Sequence, residues 1–278
     1  MSKFDNSNSS RIGVIKAAAF ALSSTCQLYQ WLNQGSELFV ANGCTILFQH
    51  NSSYYCFSNA HVLADFQLGK TFFLLKDRTA MTVGGEHFFS LPLSSEKRQD
   101  DYLDIAIVKL KPNVVERLLK NGQIFLTLGQ IQTLPALAKG NVLLLAGYPA
   151  SKTKIDVKEM RLKFNPLVLR TVPYLKKLKN ETFTKGLHHI VEFPIKSFKE
   201  TSTGQKMRAP QPYGISGSGL WLYDQNSDPI LIGILSEYHE KNAIVISTKI
   251  DLFIDLVRQK FDPSIQHDGI RVELEYES

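Results

Sequence analysis

Gly214-Ile215-Ser216-Gly217-Ser218-Gly219 sets a small hydroxyl residue between glycines. It runs into Leu220-Trp221-Leu222-Tyr223 and then Leu231-Ile232-Gly233-Ile234-Leu235-Ser236. Glycine suits a turn whose backbone takes unusual dihedrals or approaches a ligand closely. A serine on such a turn can point its hydroxyl outward while neighbouring backbone N–H groups converge on one spot. A nucleophile beside an oxyanion hole needs that geometry. Taken alone, the hexapeptide fits a structural Gly/Ser turn equally well.

Two further stretches separate these readings. Ser58-Asn59-Ala60-His61-Val62-Leu63 follows an apolar hairpin, and Asp104-Ile105-Ala106-Ile107-Val108-Lys109-Leu110 opens a strand-like run. The chain therefore offers an imidazole, a carboxylate and a hydroxyl in the order His61, Asp104, Ser216. That is the triad order of chymotrypsin, not of subtilisin or the α/β-hydrolases. From Cys44 to Phe261 the sequence resembles the trypsin-like serine peptidases of the chymotrypsin fold, nearest to their disulfide-poor bacterial branch, which also writes Asn-Ala-His-Val. Asp100 and Asp101 compete with Asp104, but the apolar run after Asp104 favours it. Ser218 competes with Ser216, but Gly214-x-Ser216-Gly217 has the family spacing.

The resemblance implies roles. Ser216 would be the nucleophile, His61 the base and Asp104 the group that holds the imidazole. The amides of Gly214 and Ser216 would form the oxyanion hole. Ser236 matches the serine that hydrogen-bonds the aspartate in this family and begins the wall that binds substrate as a strand. Glu237 and Tyr238 continue that wall, and Tyr238 would narrow the pocket. Pro210 falls near the position where a trypsin holds its pocket-floor aspartate, so no anionic pocket for Lys or Arg is evident. The expected residue before the scissile bond is small or apolar, with Glu237 as a competing recruiter of a basic residue. Ile215 stands where zymogen-activated relatives carry an aspartate, so activation by N-terminal trimming is not expected.

The rest of the chain suits this frame. Short apolar runs separated by Asn42-Gly43, by residues 50–53 and by similar signals argue for a closed barrel or a sandwich. With the resemblance, the expectation is an all-β, mainly antiparallel chain of two six-stranded-type barrels with a C-terminal helix. Residues 1–24 form an N-terminal extension, with 11–24 readable as helix or strand. Residues 25–123 form the first barrel, carrying His61 and Asp104. Residues 124–248 form the second, carrying Ser216. Residues 249–278 hold an amphipathic helix, with Ile250, Phe253, Ile254 and Val257 at helical spacing, and an acidic tail.

Composition bounds the partners. The chain has 278 residues, a net charge of +6, 44% hydrophobic and 21% charged residues, ordinary for a globular protein. Ser151 to Lys185 holds ten Lys/Arg against three Asp/Glu. It reads as a solvated excursion with strands inside it, or as a basic exosite for an acidic protein or nucleic acid. No nucleic-acid module, phosphate loop or metal-ligand spacing is visible, His188, His189, Glu86 and His87 included, so no nucleic-acid partner and no cofactor are expected. Cys26, Cys44 and Cys56 are too few for a disulfide framework; they read as free thiols of a reducing compartment, with a Cys44–Cys56 pair across one hairpin as the alternative. Lys16 splits the apolar stretch near the N-terminus, and no run spans a membrane, so a cytoplasmic location is expected, with a weak signal sequence as the alternative reading. The leading reading is a serine endopeptidase with restricted protein or peptide substrates. Its alternatives are a silent or partner-gated peptidase-fold binding module, and an adaptor using the basic surface.

Overall fold

The computed structural model describes residues 5–32, 38–64, 66, 69–75, 79–91, 101–134, 136–156, 161–163, 165–176, 183, 186–193, 198–199, 206–207, 211–224 and 227–266. Pro210, Asp100, the acidic tail 268–278 and many side chains of the basic segment 151–185 lie outside the described residues.

An N-terminal helix, α1 (Asp5–Ser23), leads into strands β1 (Thr25–Trp31), β2 (Phe39–His50), β3 (Ser53–Ser58), β4 (Thr71–Leu74), β5 (Ala80–Thr82), β6 (Gly85–Phe89) and β7 (Ala106–Leu110). These form one antiparallel sheet in the order β5-β4-β1-β2-β3-β7-β6. Its two edge strands are consecutive in the chain. Val83 N still bonds Thr71 O, while Gly84 O already accepts from Lys111 N, so the chain changes partners there. The first sheet thus has seven strands where a six-stranded-type barrel is expected.

Helix α2 (Pro112–Lys120) follows. Then come β8 (Leu143–Gly147), the small hairpin β9 (Lys154–Asp156) and β10 (Arg161–Lys163), β11 (Leu167–Thr171), β12 (His188–Glu192), the hairpin β13 (Phe198–Lys199) and β14 (Lys206–Met207), β15 (Gly219–Leu222), β16 (Ile230–His239), β17 (Ile244–Lys249) and α3 (Ile250–Lys260). The second main sheet has six strands in the order β11-β8-β15-β16-β17-β12. Its edges meet: Tyr174 N bonds Ile190 O at 2.9 Å and Glu192 N bonds Val172 O at 3.0 Å, closing the sheet beyond β11.

Two barrels packed side by side explain the strand sequences. Along β2, Ile46 and Phe48 face a layer between the sheets, while Leu47 points into the first barrel. Along β8, Leu144 and Ala146 join the shared layer, while Leu143 and Leu145 fill the second barrel. Strands buried on both faces read as continuous apolar runs instead of alternating ones. Part of the basic segment belongs to this core: Leu167 and Leu169 of β11 are buried inside the second barrel.

α1 resolves the ambiguity at 11–24. Ala17 and Ala21, one turn apart, are buried in the shared layer. Their small side chains let the helix approach closely, and Phe20 meets Trp221 edge-on at 6.2 Å. No helix among the described residues is long and apolar enough to cross a membrane.

Residues 124–128, at the start of the expected second barrel, pair with the first sheet at a bridge from Leu126 to Phe48 and then turn into a short 3-10 helix. The three cysteines are free and buried. Burial pushes the Cys44 thiol up to about 11 and Cys56 up to about 12, and raises Cys26 further.

The end of the second barrel holds buried titratable groups. Burial, then Lys249 and His188, push the His189 imidazole down to about 3. Burial pushes the Asp251 carboxyl up to about 6 despite Lys249. The two act oppositely. A depressed histidine contributes stability above its unfolded value near 6.5 and loses it as pH falls towards 3. A raised carboxyl contributes stability in acid and loses it as pH rises through about 6. Removing His189 should therefore flatten the acid limb. From pH 7 to 4, His189→Leu should lose less stability than wild type, by on the order of 3 kcal/mol, in denaturant melts at both pH values.

Candidate active site

The first sheet supplies a histidine–carboxylate pair. After β3, Asn59 starts a tight turn whose carbonyl accepts from Val62 N and Leu63 N, both at the longer end of hydrogen-bond range. Ala60, Val62 and Leu63 are buried. That pattern anchors the turn and leaves the His61 side chain 44% exposed, with Asp104 at 13%. His61 Nδ1 lies 2.6 Å from Asp104 Oδ2, and His61 N donates to Asp104 Oδ1 at 3.0 Å. The carboxylate thus grips both the ring and the backbone of one residue. It fixes the Nδ1–H tautomer and leaves Nε2 as the free, basic nitrogen.

Asp104 sits at φ 49° in the left-handed region. The competing Asp101 has a structural role. Its Oδ1 accepts from Leu103 N and Asp104 N at 3.3 and 3.1 Å, and its Oδ2 accepts from Ser90 Oγ at 2.6 Å. Ser90 Oγ in turn accepts from Ile105 N at 2.8 Å. Nothing in the spacing of Ser90 announces this contact.

The second sheet supplies the hydroxyl turn. Ile215 N donates to Pro212 O at 3.2 Å, and Ser218 N donates to Ile215 O at 2.9 Å. The buried Ile215 side chain plugs the turn into the second barrel's core. Gly214 and Gly217 take φ 81° and 84°, which glycine alone adopts cheaply. Cys44 N donates to Ser216 O at 2.7 Å, tying the turn to β2. A Cβ on Gly43 would lie 2.7 Å from the Val62 methyls and 3.0 Å from Ser216 O. Only that glycine's width therefore separates the residue after His61 from the hydroxyl turn. Among the described residues, the amides of Gly214 and Ser216 have no hydrogen-bond partner.

The contact between the two halves differs from the expected one. Ser216 Oγ donates to Ser236 O at 3.3 Å, and no hydrogen bond joins it to His61 among the described residues. Ser236 Oγ donates to Ile246 O at 3.2 Å and so does not serve Asp104. A break in register between Leu235 and Glu237 turns this serine towards β17.

Beyond Leu235, the side of β16 away from β17 has no strand partner among the described residues, because β15 begins opposite Ile234. That free edge starts at the carbonyl next to the Ser216 hydroxyl. Glu237 is exposed and pairs with His239 at 2.9 Å. Tyr238 is half-buried and meets Phe193 edge-on at 5.1 Å, against the barrel core that holds Ile215. No group of three or more His, Cys, Asp or Glu among the described residues could hold a metal ion.

No protein-family model and no curated protein matches this chain. Among solved structures, it is similar to a serine endoprotease from Yersinia pestis, at 14% identity and a TM-score of 0.50, covering 90% of this chain and 67% of that one. It is also similar to a Glu endopeptidase solved in complex with MPD, at 14% identity and a TM-score of 0.48, covering 88% of this chain and 94% of that one. Two curled antiparallel sheets, a closing helix and the first of these likenesses agree: this chain has the two-barrel fold of the trypsin-like serine endopeptidases.

Proposed function

We propose that this protein is a serine endopeptidase that works through an acyl-enzyme. The observation that carries the reading is the double grip of Asp104 on His61 at 2.6 and 3.0 Å, beside a serine turn that lies one glycine's width from Val62 and whose Gly214 and Ser216 amides have no hydrogen-bond partner among the described residues. In the reaction, Ser216 turns its hydroxyl from Ser236 O towards His61. Nε2 of His61 takes the Oγ proton as Oγ bonds to the substrate carbonyl carbon. The amides of Gly214 and Ser216 bind the oxygen as it becomes negative. His61 then gives its proton to the leaving amine, and the C–N bond breaks. Water, deprotonated by the same imidazole, hydrolyses the ester. Asp104 stays ionised throughout and stabilises the imidazolium. No cofactor is needed.

The substrate backbone adds to the free edge of β16. Tyr238, packed on Phe193, occupies space beside that edge and favours a small or apolar residue before the scissile bond. Ile215 is packed into the core, where no new N-terminus is required to pair with it. We place the protein in the cytoplasm, acting on few protein substrates, with the basic stretch 151–185 as an exosite for acidic ones. The bond from Ser216 to Ser236 O supports a partner-gated form of this reading, in which a bound substrate or partner swings the hydroxyl across.

Cleavage-site mapping in a cell lysate, wild type against Ser216→Ala, tests it. Cuts after small or apolar residues that vanish in Ser216→Ala are expected. A profile dominated by Lys or Arg would overturn the specificity, and identical profiles would overturn the peptidase reading.

A further inference from the structure

A non-glycine residue in the left-handed region persists only where its surroundings over-determine it. Asp104, at φ 49°, is such a residue. Its own loop holds the amides: Asp101 accepts from Leu103 N and Asp104 N. The second sheet holds the carbonyls just before it. His188 on β12 and Thr248 on β17 are directly opposite each other, so both side chains leave the sheet on one face. Both are buried. His188 Nε2 lies 2.9 Å from Tyr102 O, and Thr248 Oγ1 donates to Leu103 O at 3.0 Å. A carbonyl oxygen only accepts, so Nε2 of His188 carries the proton.

One rung of the second barrel therefore grips two consecutive peptide units of the loop that carries Asp104. We infer that His188 and Thr248 are positioning residues for Asp104, setting the carboxylate that holds His61 from across the junction between the barrels. The inference rests on the triad reading above. Each residue's bond to this loop is to a backbone carbonyl, so each acts through the loop. With the grip released, Asp104 loses a restraint on its strained backbone, and the hydrogen bond to Nδ1 lengthens or swings away. The cost falls on proton transfer and not on substrate contacts, so kcat should drop while KM holds.

Thr248→Val removes the hydroxyl at nearly constant volume, and His188→Phe removes the N–H while keeping a ring. Two readouts are needed: kcat and KM on a peptide found by cleavage mapping, and the low-field proton resonance of His61 Nδ1–H without substrate. Each variant should lower kcat about 10- to 100-fold at unchanged KM and weaken or shift that resonance, and Thr248→Ser should restore both. Either variant alone decides the matter if the other fails to fold. Wild-type kcat and an unchanged resonance in a folded variant would overturn the inference, even with a lowered melting temperature. If wild type shows the resonance but cleaves nothing, the peptidase reading falls. The variants' resonances then still decide whether the rung positions Asp104.

Discussion

Asp104→Asn is expected to lower kcat about 10⁴-fold while leaving the protein folded. The fold should survive because Asp and Asn are the non-glycine residues that best tolerate the left-handed region, where Asp104 sits at φ 49°. The carboxamide is nearly isosteric, and its oxygen can still accept from His61 N. What changes is the partner of Nδ1. At 2.6 Å, the Asp104 carboxylate accepts the Nδ1 proton. An amide that turns its oxygen to the backbone presents its NH2 to the ring. Nδ1 must then lose its proton, Nε2 must carry one, and the base is gone. Asp104→Ala would confound this by adding dihedral strain. Steady-state kinetics on a mapped peptide, with circular dichroism as a folding check, provide the test. Activity within tenfold of wild type would show that Asp104 does not hold the base.

Gly217→Ala should be the most damaging single-methyl change near the site, costing about 3 kcal/mol or more and abolishing catalysis. Gly217 is where the serine turn lies against the first barrel. Its φ is 84°, and an added Cβ would fall 1.9 Å from Cys44 O and 2.6 Å from Ser58 Oγ. These atoms cannot step aside, since Ser58 Oγ donates to Cys44 O at 2.7 Å and Cys44 N donates to Ser216 O at 2.7 Å. Gly217 N also bonds Leu235 O at 2.8 Å, pinning the residue from the second barrel. Gly69→Ala is the control. Gly69 has φ 66° with nothing within 4 Å of a Cβ, so the dihedral cost of about 1–2 kcal/mol stands alone. Chemical denaturation of both variants separates clash from strain. Equal losses would mean that the junction is looser than the contacts at Gly217 indicate.

These sites differ in how legible they were from sequence. His61, Asp104 and Ser216 each lie in a short contiguous stretch, and the glycines around Ser216 advertise backbone that other residues avoid. The barrels were readable because turn residues cut the apolar runs into strand lengths, even though burial on both faces erased the alternation. α1 was undecided because Ala17 and Ala21 are apolar without periodic bulk. The strand at Leu167–Thr171 hid inside a basic stretch, although Leu167, Leu169 and Thr171 alternate between Pro166 and Pro173. The contacts of His188 and Thr248 with the Asp104 loop join residues 86 and 145 positions apart, which no local pattern encodes. The turn of Ser236 towards Ile246 depends on a register break that its neighbours do not announce.

The account stands or falls on whether Ser216 is a nucleophile activated by His61. Reacting the intact chain with a fluorophosphonate and locating the adduct by mass spectrometry tests this directly. The account predicts one adduct, on Ser216, without N-terminal trimming, and its loss in His61→Ala. A chain that stays unlabelled, is labelled elsewhere, or is labelled equally in His61→Ala would contradict it.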